Sequence, residues 1–200
     1  MAERRAASGR TAGGGELSVF RVVPVEPRAR RGRPGHPLYV PRELQGAGRH
    51  DNPELYGCLY AALDAVAAVA ETLAPFRATG RFDRRMLERG GRPLVLCELL
   101  VAAEARLIDL DDPRTLVRER LRPSQVATRR RRRTQQVAAD LFRRHPDAAG
   151  LRWWSTIEAS WTCVTLFDRA LPAVRVGRRT PLAPDLEVVR AACDALALPF

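Results

Sequence analysis

The chain contains no lysine: all 34 basic residues among its 200 are arginine. This excludes a phosphate-binding loop of the GxxxxGK type, a kinase-type lysine and a Schiff-base lysine, because each needs an amine. Cysteine is scarce. Cys58, Cys97, Cys163 and Cys193 stand far apart, with no CxxC and no Cys/His spacing that suits zinc. Three of them lie within apolar runs, which predicts reduced core thiols and a cytoplasmic protein. No uninterrupted apolar run approaches the roughly 18 residues of a membrane span. The first residues, MAERRAASGRTAGGGE, lack the apolar centre of a secretory signal. No GxSxG elbow frames any serine, which argues against a hydrolase triad built on Ser155. Gly46-x-Gly48 has neither the third glycine nor the preceding strand of a Rossmann-type fingerprint.

What is present is an ordinary globular composition, 46% hydrophobic and 28% charged, enough for one core without disulfide or metal staples. The formal net charge is +11. Residues 1–35 hold eight arginines and three acids, and residues 122–144 hold eight arginines and one acid. The remainder is close to neutral, so the whole surplus lies in two segments. Abundant arginine and alanine together also suit a coding bias, so placement says more than total charge.

Residues 1–15 are Gly/Ala/Arg-rich and aperiodic and are expected to be a disordered tail, with a single domain over 16–200. LSVFRVV (17–23) reads as a strand ending at Pro24. A Pro/Gly/Arg-rich loop follows, with an extended piece near 38–40 and a second loop, GAGRHDNPELYG (46–57). A brief strand at 58–60 leads into a helix over 61–74, with apolar residues at i, i+3, i+4 spacing, closed by Pro75. Residues 77–93 suit a surface connection, and 94–101 and 106–110 read as strands. Asp111, Asp112 and Pro113 mark a helix start, with a helix to about 121. This reading of the three acids Asp109, Asp111 and Asp112 is preferred over a magnesium site. Ser124 is a candidate cap for a helix running through the arginine block to 144. A turn (145–150), a Trp-Trp-Ser corner, strands at 161–167 and 173–176, and a helix over 185–196 complete the chain. Strands and helices mix without βαβ alternation, so the class is α+β.

The most specific pattern is spread along the chain. Phe20-Arg21-Val22 closes a strand, and Gly48-Arg49-His50-Asp51 lies in a loop. Tyr60 follows Arg49 by eleven residues, and Glu71 follows Tyr60 by eleven more. Thr134-Gln135-Gln136 and Gly150-Leu151-Arg152-Trp153-Trp154-Ser155 come later, with Leu166-Phe167 downstream. In this order the pattern resembles the RES domain, a family named for its arginine, glutamate and serine.

The resemblance implies an ADP-ribosyltransferase-like architecture of mixed sheets flanked by helices. It implies the toxin of a bacterial toxin–antitoxin pair, partnered by an Xre-type helix-turn-helix antitoxin. The implied activity is NAD degradation at the nicotinamide–ribose bond by hydrolysis or phosphorolysis. NAD is then a substrate, inorganic phosphate a possible co-substrate, and no cofactor or metal is expected. The implied catalytic positions are Glu71, Arg49 and Ser155, with Arg21 and Tyr60 binding substrate. A carboxylate beside the ribose suits the positive charge that develops as neutral nicotinamide departs. Arginine forks suit a pyrophosphate. Tyr60 suits stacking on the nicotinamide or a bond to the ribose, and the Ser155 hydroxyl suits orienting the substrate. The chain departs from the family at His50, where an aromatic residue is usual, and after Ser155, where Thr-Ile-Glu lacks a frequent arginine. Gly80-Arg81-Phe82-Asp83 spells the loop motif more closely than residues 48–51 but stands after Glu71, out of order.

Two rival readings remain at this point. Residues 122–144, with five consecutive arginines at 129–133, suit phosphate neutralisation by a nucleic-acid-binding protein. No RNA-module pattern or helix-turn-helix signature accompanies the run, so direct nucleic-acid binding is the lesser reading. The second rival is a RES-like scaffold that binds a partner without catalysis. The acceptor of ADP-ribose (water, phosphate or a macromolecule) and the oligomeric state, a homo-oligomer included, stay open.

Overall fold

A computed structural model describes residues 11–12 and 15–200. The fold is α+β, as the pattern predicts: one mixed sheet flanked by helices. Its strands are β1 (Thr11–Ala12), β2 (Glu16–Pro24), β3 (Cys58–Ala62), β4 (Glu88–Arg89), β5 (Arg92–Val101), β6 (Leu107–Asp109), β7 (Gly150–Trp154), β8 (Thr162–Phe167) and β9 (Val174–Pro181). The helices are α1 (Ala65–Leu73), α2 (Pro113–Arg118), α3 (Pro123–Val126), α4 (Arg131–Arg144) and α5 (Glu187–Ala195). The strand order is β4-β5-β2-β3-β8-β7-β6, with β1 on β2 and β9 on β5. β6 and β7 pair in parallel, and the other described pairs are antiparallel. Of the tail expected to be disordered, Thr11–Ala12 pairs with β2, and residues 1–10 and 13–14 lie outside the described residues.

The centre of the sheet is where it is weakest. β2 pairs with β5 along eight positions but with β3 at one, Phe20↔Ala62. Beyond that pair the two strands splay, and a cleft opens in the fork. Side chains alternate across a strand, so Cys58, Tyr60 and Ala62 face one side of β3 while Leu59 and Ala61 face the other. The first side is covered by two separate blocks. α1 and α5 pack over Ala62, Phe20 and Val22, and α4 packs through Val137, Ala138 and Leu141 over Cys58, Trp153 and Phe167. Leu59, Val19 and Leu99 form the core of the opposite side, against Leu38 and Ala170. The cleft lies between the two helical blocks.

Several expected boundaries move, each for a local reason. The helix expected from residue 61 starts at Ala65, because Ala61 and Ala62 are claimed by β8 (Ala61↔Val164, Ala62↔Cys163); strand pairing overrides alanine's helical preference. Asp64 then caps the helix, accepting the Ala67 N–H at 3.0 Å. Residues 38–40 form no strand. The Trp-Trp-Ser corner is instead the end of β7, and Gly150 starts that strand because a Cβ there would stand 2.1 Å from the Thr165 carbonyl oxygen. The surface connection 77–93 buries Met86 and Leu87. β9 runs on to Pro181 rather than ending at 176.

The continuous helix expected after Ser124 is two helices. Arg122, not Ser124, is the cap position, and its N–H bonds the Gln125 side chain at 2.7 Å. The chain leaves helical conformation after Val126 and re-enters at Arg131. A break there removes two of five like charges from one helix, where neighbours at i+3 and i+4 repel.

Candidate active site

The loop at 46–52 is held from three sides. Asp51 Oδ2 accepts the N–H groups of Gly46 (2.9 Å) and Gly48 (2.7 Å), and Asp51 Oδ1 accepts the Tyr60 hydroxyl at 2.6 Å. The His50 N–H donates to the same hydroxyl at 2.9 Å. Gly48 is required here, since a Cβ would lie 2.5 Å from Asp51 Oδ1 and 2.6 Å from the Tyr60 oxygen. From α4, Gln135 donates to the carbonyls of Gly46 and Gly48 (2.8 and 2.9 Å), and the Thr134 hydroxyl donates to that of Arg49 (2.5 Å). Thr134 and Gln135 of the sequence pattern therefore fasten α4 to the loop. Burial pushes the Tyr60 phenol well above its usual range, with Cys58 and Asp51 adding to it.

His50 packs as an aromatic ring does. It is buried, edge-on to Trp153 with ring centroids 5.2 Å apart, and stacked toward Tyr60 at 6.4 Å. Its Nδ1 lies 2.9 Å from Thr165 Oγ1, which also accepts the Trp153 indole N–H at 3.1 Å. Burial, then the charges of Arg49 and Arg131, lower its pKa to about 3, so the ring is neutral at physiological pH.

Arg49 is 5% exposed. Its Nη1 donates to the carbonyls of Val126 (3.0 Å) and Thr128 (2.8 Å), closing the break between α3 and α4. Its Nη2 reaches Thr156 Oγ1 at 3.4 Å, and its guanidinium stands 5.0 Å from the Trp153 ring centre, within cation–π range. Burial lowers its pKa, Arg131 lowers it further, and Glu71 opposes both.

Glu71 projects from α1 on the far wall of the cleft. Ser155, 2% exposed at the end of β7, donates its hydroxyl to Glu71 Oε1 at 2.6 Å and accepts the Ile157 N–H at 3.0 Å. The Cys163 thiol lies 3.7 Å from the same carboxylate oxygen, and burial followed by Glu71 pushes that thiol up. The Ser155 hydroxyl, expected to orient substrate, is turned onto Glu71. Oε2 of Glu71 has no hydrogen-bond partner among the described residues.

Arg21, Arg49, Tyr60 and Glu71 all line one cavity of about 380 Å³, within the usual range of about 300–1,000 Å³ for small-molecule sites. Arg21 occupies the fork between β2 and β3. Its Nη1 donates to the carbonyls of Pro37 (2.6 Å) and Tyr39 (3.3 Å), and burial lowers its pKa to about 10, which leaves it charged. The sequence reasoning missed Arg131, Trp153, Thr156 and Cys163, which line the same cavity. Trp153 was within reach of it, two residues before Ser155 in the same motif. Phe82 of the competing Gly80–Asp83 stretch packs on the α1 core, and Arg81 is exposed outside the cavity. Asp112 caps α2 and Asp109 pairs with Arg152. No cluster of three or more metal-ligating side chains occurs among the described residues, and no described helix is long and apolar enough to cross a membrane.

A comparison with curated proteins finds no match. Among solved structures, a chain of the M. tuberculosis MbcT–MbcA toxin–antitoxin complex is similar, with a TM-score of 0.64 at 19% identity, covering 88% of this chain and 90% of that one. The shared fold agrees with the α+β class expected, a mixed sheet flanked by helices. The model of the RES domain matches residues 19–189, from β2 into α5 and across every side chain of the cleft. The chain belongs to the RES domain family.

Proposed function

We propose that this protein is the toxin of a toxin–antitoxin pair and that it cleaves the nicotinamide–ribose bond of NAD. The observation that carries the reading is the arrangement of Glu71: a carboxylate fixed on one oxygen by Ser155 and presented into a cavity whose other charged walls are arginine. In the reaction the C–N bond to the ribose breaks and its electron pair stays with the pyridine nitrogen, so nicotinamide leaves neutral and needs no general acid. Positive charge develops on the ribose, and Glu71 stabilises it. Water or inorganic phosphate then bonds to the ribose carbon and releases a proton to solvent, giving ADP-ribose or its 1-phosphate. Tyr60 is locked by Asp51 with its ring against the cleft, suited to the nicotinamide or ribose. No metal or further cofactor enters these steps.

The similar M. tuberculosis protein is one half of a toxin–antitoxin complex. We extend this to the present chain, with an antitoxin, expected to be of the Xre type, that closes the cleft. The test is direct: purified protein is mixed with NAD, with and without phosphate, and free nicotinamide is followed. Nicotinamide release is expected, and phosphate dependence identifies the acceptor. No turnover under any condition overturns the enzyme and favours a partner-binding scaffold.

A further inference from the structure

Two of the arginines that line the cleft are already engaged by protein carbonyls: Arg21 by Pro37 and Tyr39, Arg49 by Val126 and Thr128. The third, Arg131, is different. It is exposed, lines the cavity, and makes no side-chain hydrogen bond or ion pair among the described residues. It stands at the first position of α4, a 14-residue helix with no acidic residue in its first turn and no side-chain cap. The backbone beneath it is fixed relative to Arg49, because Thr134 and Gln135 bond the carbonyls of Arg49, Gly46 and Gly48. Arg131 is close enough to lower the pKa of Arg49. Arg49 and Arg131 thus line one cavity with no ion pair to a carboxylate among the described residues, an arrangement that favours a bound anion.

We propose that Arg131 is a substrate-binding residue that takes the pyrophosphate of the dinucleotide at the mouth of the cleft, with Arg49 acting chiefly to position the loop and the start of α4. The proposal rests on the reading that the cleft accepts NAD. It also divides the arginine run by role: Arg131 faces the ligand, and its neighbours face solvent. A free fork binds phosphate oxygens bidentately, whereas one whose Nη1 already serves two carbonyls offers less.

The experiment compares Arg131→Ala and Arg131→Lys with Arg132→Ala, an exposed residue outside the cavity. Affinity for ADP-ribose is measured by calorimetry, alongside KM and kcat for NAD. Arg131→Ala is expected to weaken ADP-ribose and raise KM by about 10- to 100-fold with kcat nearly unchanged, the signature of lost uniform binding. Arg131→Lys should recover part of this, and Arg132→Ala should stay within about twofold of wild type, the scale of a remote screened charge. Unchanged ADP-ribose affinity in Arg131→Ala overturns the proposal even if NAD is consumed. Equal losses in Arg131→Ala and Arg132→Ala also overturn it, since they report only a diffuse field. If wild type neither binds ADP-ribose nor consumes NAD, the dinucleotide reading has failed instead. Inorganic pyrophosphate is then the probe: retained binding in Arg131→Ala refutes the anion site, and selective loss sustains it.

Discussion

Glu71 and Glu119 are both carboxylates drawn in from solvent, and the protein treats them in opposite ways. Glu119, 6% exposed just past the end of α2, is crowded by cations: Arg144, Arg118 at 3.4 Å and the His145 ring at 3.1 Å. Arg144 and His145 stand at the end of α4, so the carboxylate ties two helices together and has nothing left to offer a ligand. Glu71 has a hydroxyl and a thiol as partners, no ion pair among the described residues, and a cavity in front of it. The guanidinium of Arg49 and this carboxylate act on one another across space rather than by contact. A saturated carboxylate is cement. An under-saturated one, held at one oxygen and open at the other, is suited to stabilising charge that appears only during a reaction.

Exchanging each acid for its amide sharpens that contrast. Glu71→Gln should cut nicotinamide release by about 10²- to 10³-fold, the scale for removing one preorganised electrostatic group. It should leave the melting temperature nearly unchanged. Full activity would remove Glu71 from the chemistry. Glu119→Gln should do the reverse: a loss of about 1–2 kcal/mol in urea unfolding, less than for a fully buried ion pair because Arg118 and Arg144 are half-exposed, with turnover retained by the folded protein. A variant that loses activity while remaining stable would make Glu119 part of the site and dissolve the comparison.

Ser155→Ala tests how Glu71 is held. It removes the 2.6 Å bond to Oε1 and strands the Ile157 N–H. A drop of about tenfold in kcat is expected, with KM for NAD little changed, because one charge-assisted hydrogen bond is worth about 1.5–3 kcal/mol and part is recovered by water. Ser155→Thr should restore part of the rate. A rise in KM alone would return Ser155 to a substrate-orienting role.

The strands over 17–23 and 94–101 were legible because β-branched and apolar residues run unbroken there, and the start of α2 was legible because Asp112 and Pro113 are a cap and a first-turn residue. Gly150–Trp154 was harder, since its glycine is a packing requirement set by Thr165, fifteen residues on. The break before α4 was hidden inside five identical residues with the same local propensity. Only the surroundings distinguish Arg131 from Arg132. Within the site, the family pattern singles out Arg49, Tyr60 and Glu71, which line one cavity, whereas helical spacing alone gives Glu71 no partner. Its contact with Ser155 joins residues 84 apart, and no local period encodes such a pair.

Acid tests the cement more gently. Burial pushes the Glu119 pKa up, but the hydrogen bond and charge of His145, with Arg118 and Arg144, outweigh it and hold the carboxyl below its ordinary value. A depressed carboxyl binds its proton less readily when folded than when unfolded. Its contribution is therefore complete above the unfolded pKa of about 4.3 and is lost as pH falls through the folded one. Each tenfold difference in proton affinity between the two states is worth about 1.4 kcal/mol. The stability gap between wild type and Glu119→Gln should accordingly narrow from about pH 5 toward pH 3 as the wild-type carboxyl takes up its proton and comes to resemble the amide. Taking the difference cancels the acid titration of Asp112 and Asp147, which both proteins share. A gap that stays constant through pH 3 would mean that the cluster gives Glu119 no net stabilising charge, and that α2 and α4 are joined by packing alone.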